Sequence, residues 1–238
     1  MVDRMRIHRE VVSFARRGDR MTSSQRKAWT TYHDRYLIDV PCAKTDTSVA
    51  AGAEIDLAAA FGRTAPLIVE IGPGVGDSLV PMAAARSGAN VLVFEVFSAG
   101  LASIMIKLAA HQVDNVRLMQ VDAVDGLRHV VPDGGMDRLW LFFPDPWHKR
   151  RHHKRRLVDR DLADLVAAKL RPGGVWRIAT DWGDYATHIR DVLDDHPAFE
   201  NPHAGGWAPR WSRRPITRFE QRGLDAGRRI FDLTLVRR

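Results

Sequence analysis

The stretch "VEIGPGVGDSL", residues 69–79, closes the apolar run "LIVEIG" on a turn with glycine at 72, 74 and 76, then opens "DSLVPMAAARSG", which ends at Gly88. A short apolar run bounded by glycine reads as a buried strand, and the segment after it as a helix. Gly72, Gly74 and Gly76 let the backbone turn tightly and come close to a ligand, with the amides of the following helix start aimed at it. On its own such a turn also fits an NAD enzyme or a purely structural bend.

The pattern repeats outward from this turn. "VLVFEV" (91–96) reads as a second strand and "AGLASIMIKLAAHQ" (99–112) as a strongly periodic helix. "VRLMQVD" (116–122) and "DRLWLFFP" (137–144) follow as strands, and "RRLVDRDLADLVAAKL" (155–170) as a helix stopped by "RPGG". Then come the strand "VWRIATD" (175–181), the helix "YATHIRDVLDDH" (185–196), a loop-rich stretch over 197–215, and an alternating final strand "RIFDLTLV" (229–236). Strands alternating with helices of ten to fifteen residues predict an α/β fold, a doubly wound and mostly parallel Rossmann-like sheet. Before Pro66 the chain is polar and basic, with one helical-looking segment, "SVAAGAEIDLAAAFG" (48–62). The division expected is a basic N-terminal arm with a helical extension over 1–62, and one domain over 63–238.

With 238 residues, 45% hydrophobic, the chain can bury a full core, and 27% charged with 8% aromatic residues speaks against disorder. The net charge of +7 is local: removing the six Lys/Arg of 149–156 from 36 leaves 30 basic against 29 acidic residues, or +1. A second basic group is Arg4, Arg6, Arg9, Arg16, Arg17, Arg20, Arg26 and Lys27. A basic stripe on a neutral body points to a polyanion such as nucleic acid; a solvated face or an anionic membrane are the alternatives. Cys42 is the single cysteine, which rules out an internal disulfide and a cysteine zinc cluster, and no metal is expected. The first 17 residues carry charge throughout, unlike a secretory signal, and no apolar run is long enough to span a bilayer. A cytoplasmic protein acting away from membranes is expected.

Three acids stand at strand ends: Glu70, Glu95 and Asp122. Ligands of open α/β sheets bind outside the carboxyl ends of the strands, so the three converge on one crevice. Glu95 is placed to accept both hydroxyls of a ribose, common to NAD and S-adenosylmethionine. A carboxylate directly before the loop opposes a pyrophosphate but suits an ammonium and a sulfonium, and G-P-G-V-G lacks the last glycine of the dinucleotide fingerprint. The residues therefore favour S-adenosylmethionine over NAD. The fourth strand brings Asp145 to the same edge, in a backbone fixed on both sides by Pro144 and Pro146. Pro-Asp-Pro also reads as a stiff turn, and Trp147 as core packing.

The set "VEIGPGVGDSL", "FEV", "VDA", "FPDPWHKRRHHKRRLV", "ATDW..Y" and "TRFEQRG", with "SFARRGDRMTSSQ" near the start, resembles the tRNA (guanine-N7)-methyltransferase family. The match runs from about residue 13 to the final strand; Pro73 departs from it where the family commonly has an aromatic residue. The resemblance implies the class I methyltransferase sheet, seven strands with the last antiparallel, and a guanine at position 46 of the tRNA variable loop as substrate. By matching positions, Glu70, Glu95, Asp122 and Asp145 bind cofactor or act at the site, and Lys149, Asp181, Thr217 and Glu220 contact substrate. The run behind Lys149, including Arg151, Lys154, Arg155 and Arg156, is expected to dock the tRNA backbone so that Asp145 meets its guanine. Thr217 and Glu220 can instead form a local helix cap. Two further readings stay open: a non-catalytic RNA-binding protein on a methyltransferase fold, and a methyltransferase for another substrate, which leaves the basic run unexplained.

Overall fold

The computed structural model describes residues 20–43, 45–203 and 206–238. Arg4, Arg6, Arg9, Arg16 and Arg17 of the expected arm, and the start of "SFARRGDRMTSSQ", lie outside the described residues. The chain then runs α1 (Ser23–Tyr36), α2 (Leu57–Phe61), β1 (Leu67–Ile71), α3 (Leu79–Ala84), β2 (Asn90–Phe94), α4 (Ser98–Ala110), β3 (Val116–Met119) and α5 (Ala123–His129). It continues with β4 (Met136–Phe142), a 3-10 turn (Arg150–Arg155), α6 (Arg160–Lys169), β5 (Leu170–Thr180), α7 (Gly183–Asp194), β6 (Phe199–Glu200), α8 (Arg218–Asp225) and β7 (Phe231–Arg237).

The seven strands lie in the order β3-β2-β1-β4-β5-β7-β6. Strands β1 to β5 are mutually parallel, and β7 runs antiparallel to β5 and β6. This is the expected doubly wound α/β sheet with its final strand reversed. Strand order turns back between β1 and β4, and that switch point opens a crevice at the carboxyl edge.

Period-2 alternation divides the strands between two cores. Val69, Leu92, Phe94, Leu139 and Ile178 join Leu162, Val166, Tyr185 and Ile189 on one face. Ile68, Val91, Val93 and Trp140 join Leu101, Ile104, Met105 and Leu108 on the other. Each such side chain removed fully from water contributes about 1.5–3 kcal/mol.

Part of the polar amino-terminal region is built into this body. Helix α1 starts on a capping box between Thr22 and Gln25, and the Gln25 amide donates to Ala99 O and Ser103 Oγ of α4, both at 3.0 Å. Tyr36 is fully buried, and Leu37 bridges to Leu118 of β3.

Two local expectations are corrected. Only Leu57–Phe61 of the helical-looking 48–62 stretch is helical, held between the Asp56 N-cap and the left-handed Gly62. "RPGG" does follow the end of α6, but it lies inside β5. Met136 pairs with Leu170 and Arg138 with Val175, so residues 171–174 loop out as a bulge with Gly173 at φ 73°.

Candidate active site at the sheet switch point

The carboxyl edge of the parallel strands carries a row of acids in spatial order: Asp122 after β3, Glu95 after β2, Glu70 on β1, Asp145 after β4 and Asp181 after β5. Neighbouring strands are about 4.8 Å apart. Each of the five parallel strands thus brings an acid to or near this edge, Glu70 within its strand and Asp145 three residues beyond the end of β4.

The glycine turn supplies its floor. Gly72, Gly74 and Gly76 all have positive φ, 64°, 62° and 78°. At Gly76 an added Cβ would also sit 2.8 Å from Ile104 Cγ1, and one on Gly100 of α4 would sit 2.7 Å from Gly74 O. The loop and α4 therefore touch backbone to backbone, which only glycine allows. Glu95 fastens the same loop: Gly74 N–H donates to its Oε2 at 3.1 Å and Phe97 N–H to its Oε1 at 2.9 Å. It is 8% exposed, so both contacts are largely shielded from water.

Glu70 is the unusual member. It pairs in register with Val93 and Trp140, is 1% exposed, and its Oε2 has no hydrogen-bond partner among the described residues. Burial pushes its carboxyl up to about 8. An orphaned buried carboxylate directly before a glycine turn fits a ligand that brings positive charge, and fits a pyrophosphate badly. On this observation the residues fit S-adenosylmethionine, whose ammonium and sulfonium are both cationic. Asp122 caps α5, with Oδ1 accepting from Val124 N–H at 2.9 Å and Asp125 N–H at 3.4 Å, and burial raises its pKa.

Asp145 is exposed on a backbone bracketed by two non-glycine residues in the left-handed region, Phe143 (φ 53°) and Trp147 (φ 49°). Such conformations cost of order 1–3 kcal/mol each and persist where surrounding contacts hold them. Phe143 N–H donates to Ala179 O at 2.7 Å, and Arg156 Nε donates to Pro146 O at 3.1 Å. The Arg155 guanidinium lies 3.6 Å over the Trp147 ring, and His148 meets Trp182 edge-on at 4.1 Å.

Residues 64–233 match the family described as "Putative methyltransferase". A tRNA (guanine-N(7)-)-methyltransferase of Cutibacterium acnes is 51% identical over 231 residues, 96% of this chain and 84% of that protein. One of Nocardioides sp. is 46% identical, covering 97% of this chain and 88% of its own, and one of Alkalilimnicola ehrlichii 43%, covering 94% and 92%. The chain belongs to the tRNA (guanine-N7)-methyltransferase family.

The residues that the family resemblance assigns to substrate are placed unevenly. Lys149, just before the 3-10 turn, and Arg150, Arg151 and Lys154 on it are exposed. Arg156 is 6% exposed and belongs to the scaffold: besides Pro146 it holds Asp184, stacks over Tyr185 at 4.9 Å, and depresses the Asp184 pKa through their hydrogen bond. It is therefore no exposed phosphate-docking side chain, contrary to expectation. Asp181 accepts from Arg228 Nε at 2.7 Å.

Thr217 Oγ1 accepts from Glu220 N–H at 3.1 Å as the N-cap of α8. The Glu220 carboxylate is 0% exposed and takes hydrogen bonds from Arg210 at 2.8 and 3.1 Å and Arg214 at 3.0 Å. Arg214 continues to both oxygens of Asp232 at 3.0 Å, tying α8 to β7. In this family member Glu220 organises the α8 segment from inside. Phe219, next to it, is 52% exposed and packs on Phe143 at 5.2 Å between ring centroids. Nothing in the sequence pattern separated Phe219 from the other aromatics, because its partner precedes it by 76 positions.

Proposed function

We propose that this protein transfers the methyl group of S-adenosylmethionine to N7 of a guanine in tRNA, at position 46 of the variable loop. The observation that carries the reading is the orphaned buried carboxyl of Glu70 at the switch point, with Asp145 exposed on the turn that follows the neighbouring strand β4. Family membership supplies the substrate class.

When bound, S-adenosylmethionine supplies an electrophilic methyl on a cationic sulfur. Glu70 offsets positive charge at the base of the crevice, Glu95 accepts from the ribose hydroxyls while steadying the glycine loop, and Asp122 borders the far side. Guanine N7 reacts through an exposed lone pair, so Asp145 has no proton to remove. Asp145 instead accepts from the guanine N1–H and N2–H₂ groups, orienting the ring and countering the positive charge that grows on it. The exposed ring of Phe219 gives the base a stacking surface beside this turn. Lys149, Arg151 and Lys154 meet backbone phosphates. Asp181, Thr217 and Glu220 shape the opposite wall, Glu220 through Arg210.

The test is incubation with labelled S-adenosylmethionine and unmodified tRNA, followed by nucleoside analysis. Label in N7-methylguanosine is the expected result. Binding of tRNA without any methylated nucleoside would instead favour an RNA-binding protein on this fold.

A further inference from the structure

A further basic group, distinct from the 3-10 turn and from the amino-terminal cations, lies below the carboxyl edge on the sheet face shared with α3. Trp140 of β4 and Arg177 of β5 are in register, and Arg138 lies two residues before Trp140 on the same face. Arg86 comes from beyond the end of α3 and Arg213 from the segment before α8. Trp211 holds the group together: its ring is 4.9 Å from the Arg86 guanidinium and 4.6 Å from that of Arg177.

These four arginines have no carboxylate within 4.0 Å among the described residues. The acids of the region are occupied: Asp137 accepts from Arg171 Nε at 2.6 Å and Leu67 N–H at 2.9 Å, and Asp232 from Arg214. Burial, then repulsion from Arg138, lowers the pKa of both Arg86 and Arg177, with Arg213 adding to the repulsion and Asp232 opposing it at Arg177 alone. Arg86 and Arg138 line a cleft of about 360 Å³ together with the ion-paired Arg171 and Asp137, and Arg177 stands outside it, against the Trp211 ring. That size lies at the small end of ligand sites, which run from about 300 Å³ upward.

A solvated basic face spreads its charges apart. Here like charges converge: two guanidinium groups lie against one Trp211 ring, each also donating within the fold, Arg86 to Met82 O and Arg177 to Thr234 Oγ1, both at 3.0 Å. An arginine fork matches an oxyanion with two oxygens to offer, so the chemistry selected is phosphate. The segment that carries Trp211 and Arg213 continues directly into the Thr217 cap and α8, and Arg138 lies about 13 Å along β4 below its carboxyl end. A strand entering the site over α8 would therefore pass this cluster. We infer that Arg86, Arg138, Arg177 and Arg213 form a second phosphate-binding site, remote from the 3-10 turn, that holds the backbone of the RNA substrate. This rests on the tRNA reading above.

Arg138 and Arg213 are exposed, so the double variant Arg138→Gln/Arg213→Gln should fold normally, with an unchanged melting temperature as control. Its affinity for unmodified tRNA should fall roughly tenfold near 0.1 M salt, and the slope of log affinity against log salt should flatten by about 1.4–1.8, at about 0.7–0.9 per lost phosphate. Affinity for S-adenosylmethionine and turnover at saturating tRNA should stay at wild-type values. Unchanged tRNA affinity and slope would overturn the proposal. Inorganic phosphate serves as a second arm: if it raises the wild-type melting temperature, and not the variant's, while tRNA binding is unaffected, the site takes a free anion and the RNA assignment is wrong. Failure of the parent reading is separate, since the wild-type protein would then leave tRNA unmethylated whatever the behaviour of the double variant.

Discussion

Glu95 and Asp145 are both carboxylates at the crevice, yet their surroundings prepare them for different work. Glu95 is tied to the backbone of the loop it faces. Glu95→Ala should thus weaken S-adenosylmethionine binding by at least tenfold, since hydrogen bonds to a charged group contribute about 1.5–3 kcal/mol each. Calorimetry returning wild-type affinity would rule out the ribose contact. Asp145 is exposed, and the turn is held through its neighbours Phe143 and Pro146, so Asp145→Asn should leave cofactor affinity intact and cut turnover well beyond twofold. A change within twofold is only about 0.4 kcal/mol, and would make Asp145 a turn residue. Both acids were legible in the sequence because each ends an apolar run, and a parallel sheet brings every such end to one edge. The partner of the glycine loop was not legible, because a contact from Glu95 to Gly74 spans 21 positions and depends on how the loop folds back.

The basic segment shows what an element adds to a list of residues. Six cations in eight positions look equivalent in sequence. A 3-10 turn has about three residues per turn, so it sorts them differently from an α-helix. Lys149, Arg151 and Lys154 face outward, while Arg155 covers Trp147 and Arg156 clamps Pro146. Replacing Lys149, Arg151 and Lys154 together with Ala should flatten the salt dependence of tRNA binding by about two units and leave the melting temperature unchanged. Arg156→Ala should do the reverse: it strips a buried clamp from the Pro-Asp-Pro turn, lowering stability and turnover together with little effect on the salt slope. An unaltered slope in the triple variant would identify the exposed cations as a solvated face. The strands and the long helices after Pro66 were readable from periodicity alone. Helix α1, the longest among the described residues, was not: its face is polar, and it is anchored by a capping box and by Gln25 on α4. Helices α5 and α8 and the strand β6 were not, being short, polar or glycine-containing, and fixed by caps and distant ion pairs rather than by an apolar pattern.

For the molecule as a whole, the acid at the switch point couples ligand binding to proton binding. Burial moves the Glu70 carboxyl from 4.5 to about 8 in the folded protein. Between these values the folded protein holds a proton that the unfolded chain has released. Glu70's contribution to stability is therefore complete below about pH 4.5 and is lost as pH rises towards 8, a change on the order of a few kcal/mol. Glu70→Gln carries no titrating group, so the variant should gain stability relative to wild type between pH 5 and pH 8.5, measured by denaturant unfolding. A cationic ligand reverses the balance by favouring the charged carboxylate. Binding of S-adenosylmethionine should then release up to one proton near pH 6–7, and affinity should rise as pH increases from 6 to 8. Calorimetry in buffers of different ionisation enthalpy reads this release directly. It should vanish at pH 9, where Glu70 is already ionised, and in Glu70→Gln at every pH. A wild-type enthalpy that does not depend on the buffer at pH 6.5 would mean that Glu70 keeps its proton in the complex and does not face the positive charge.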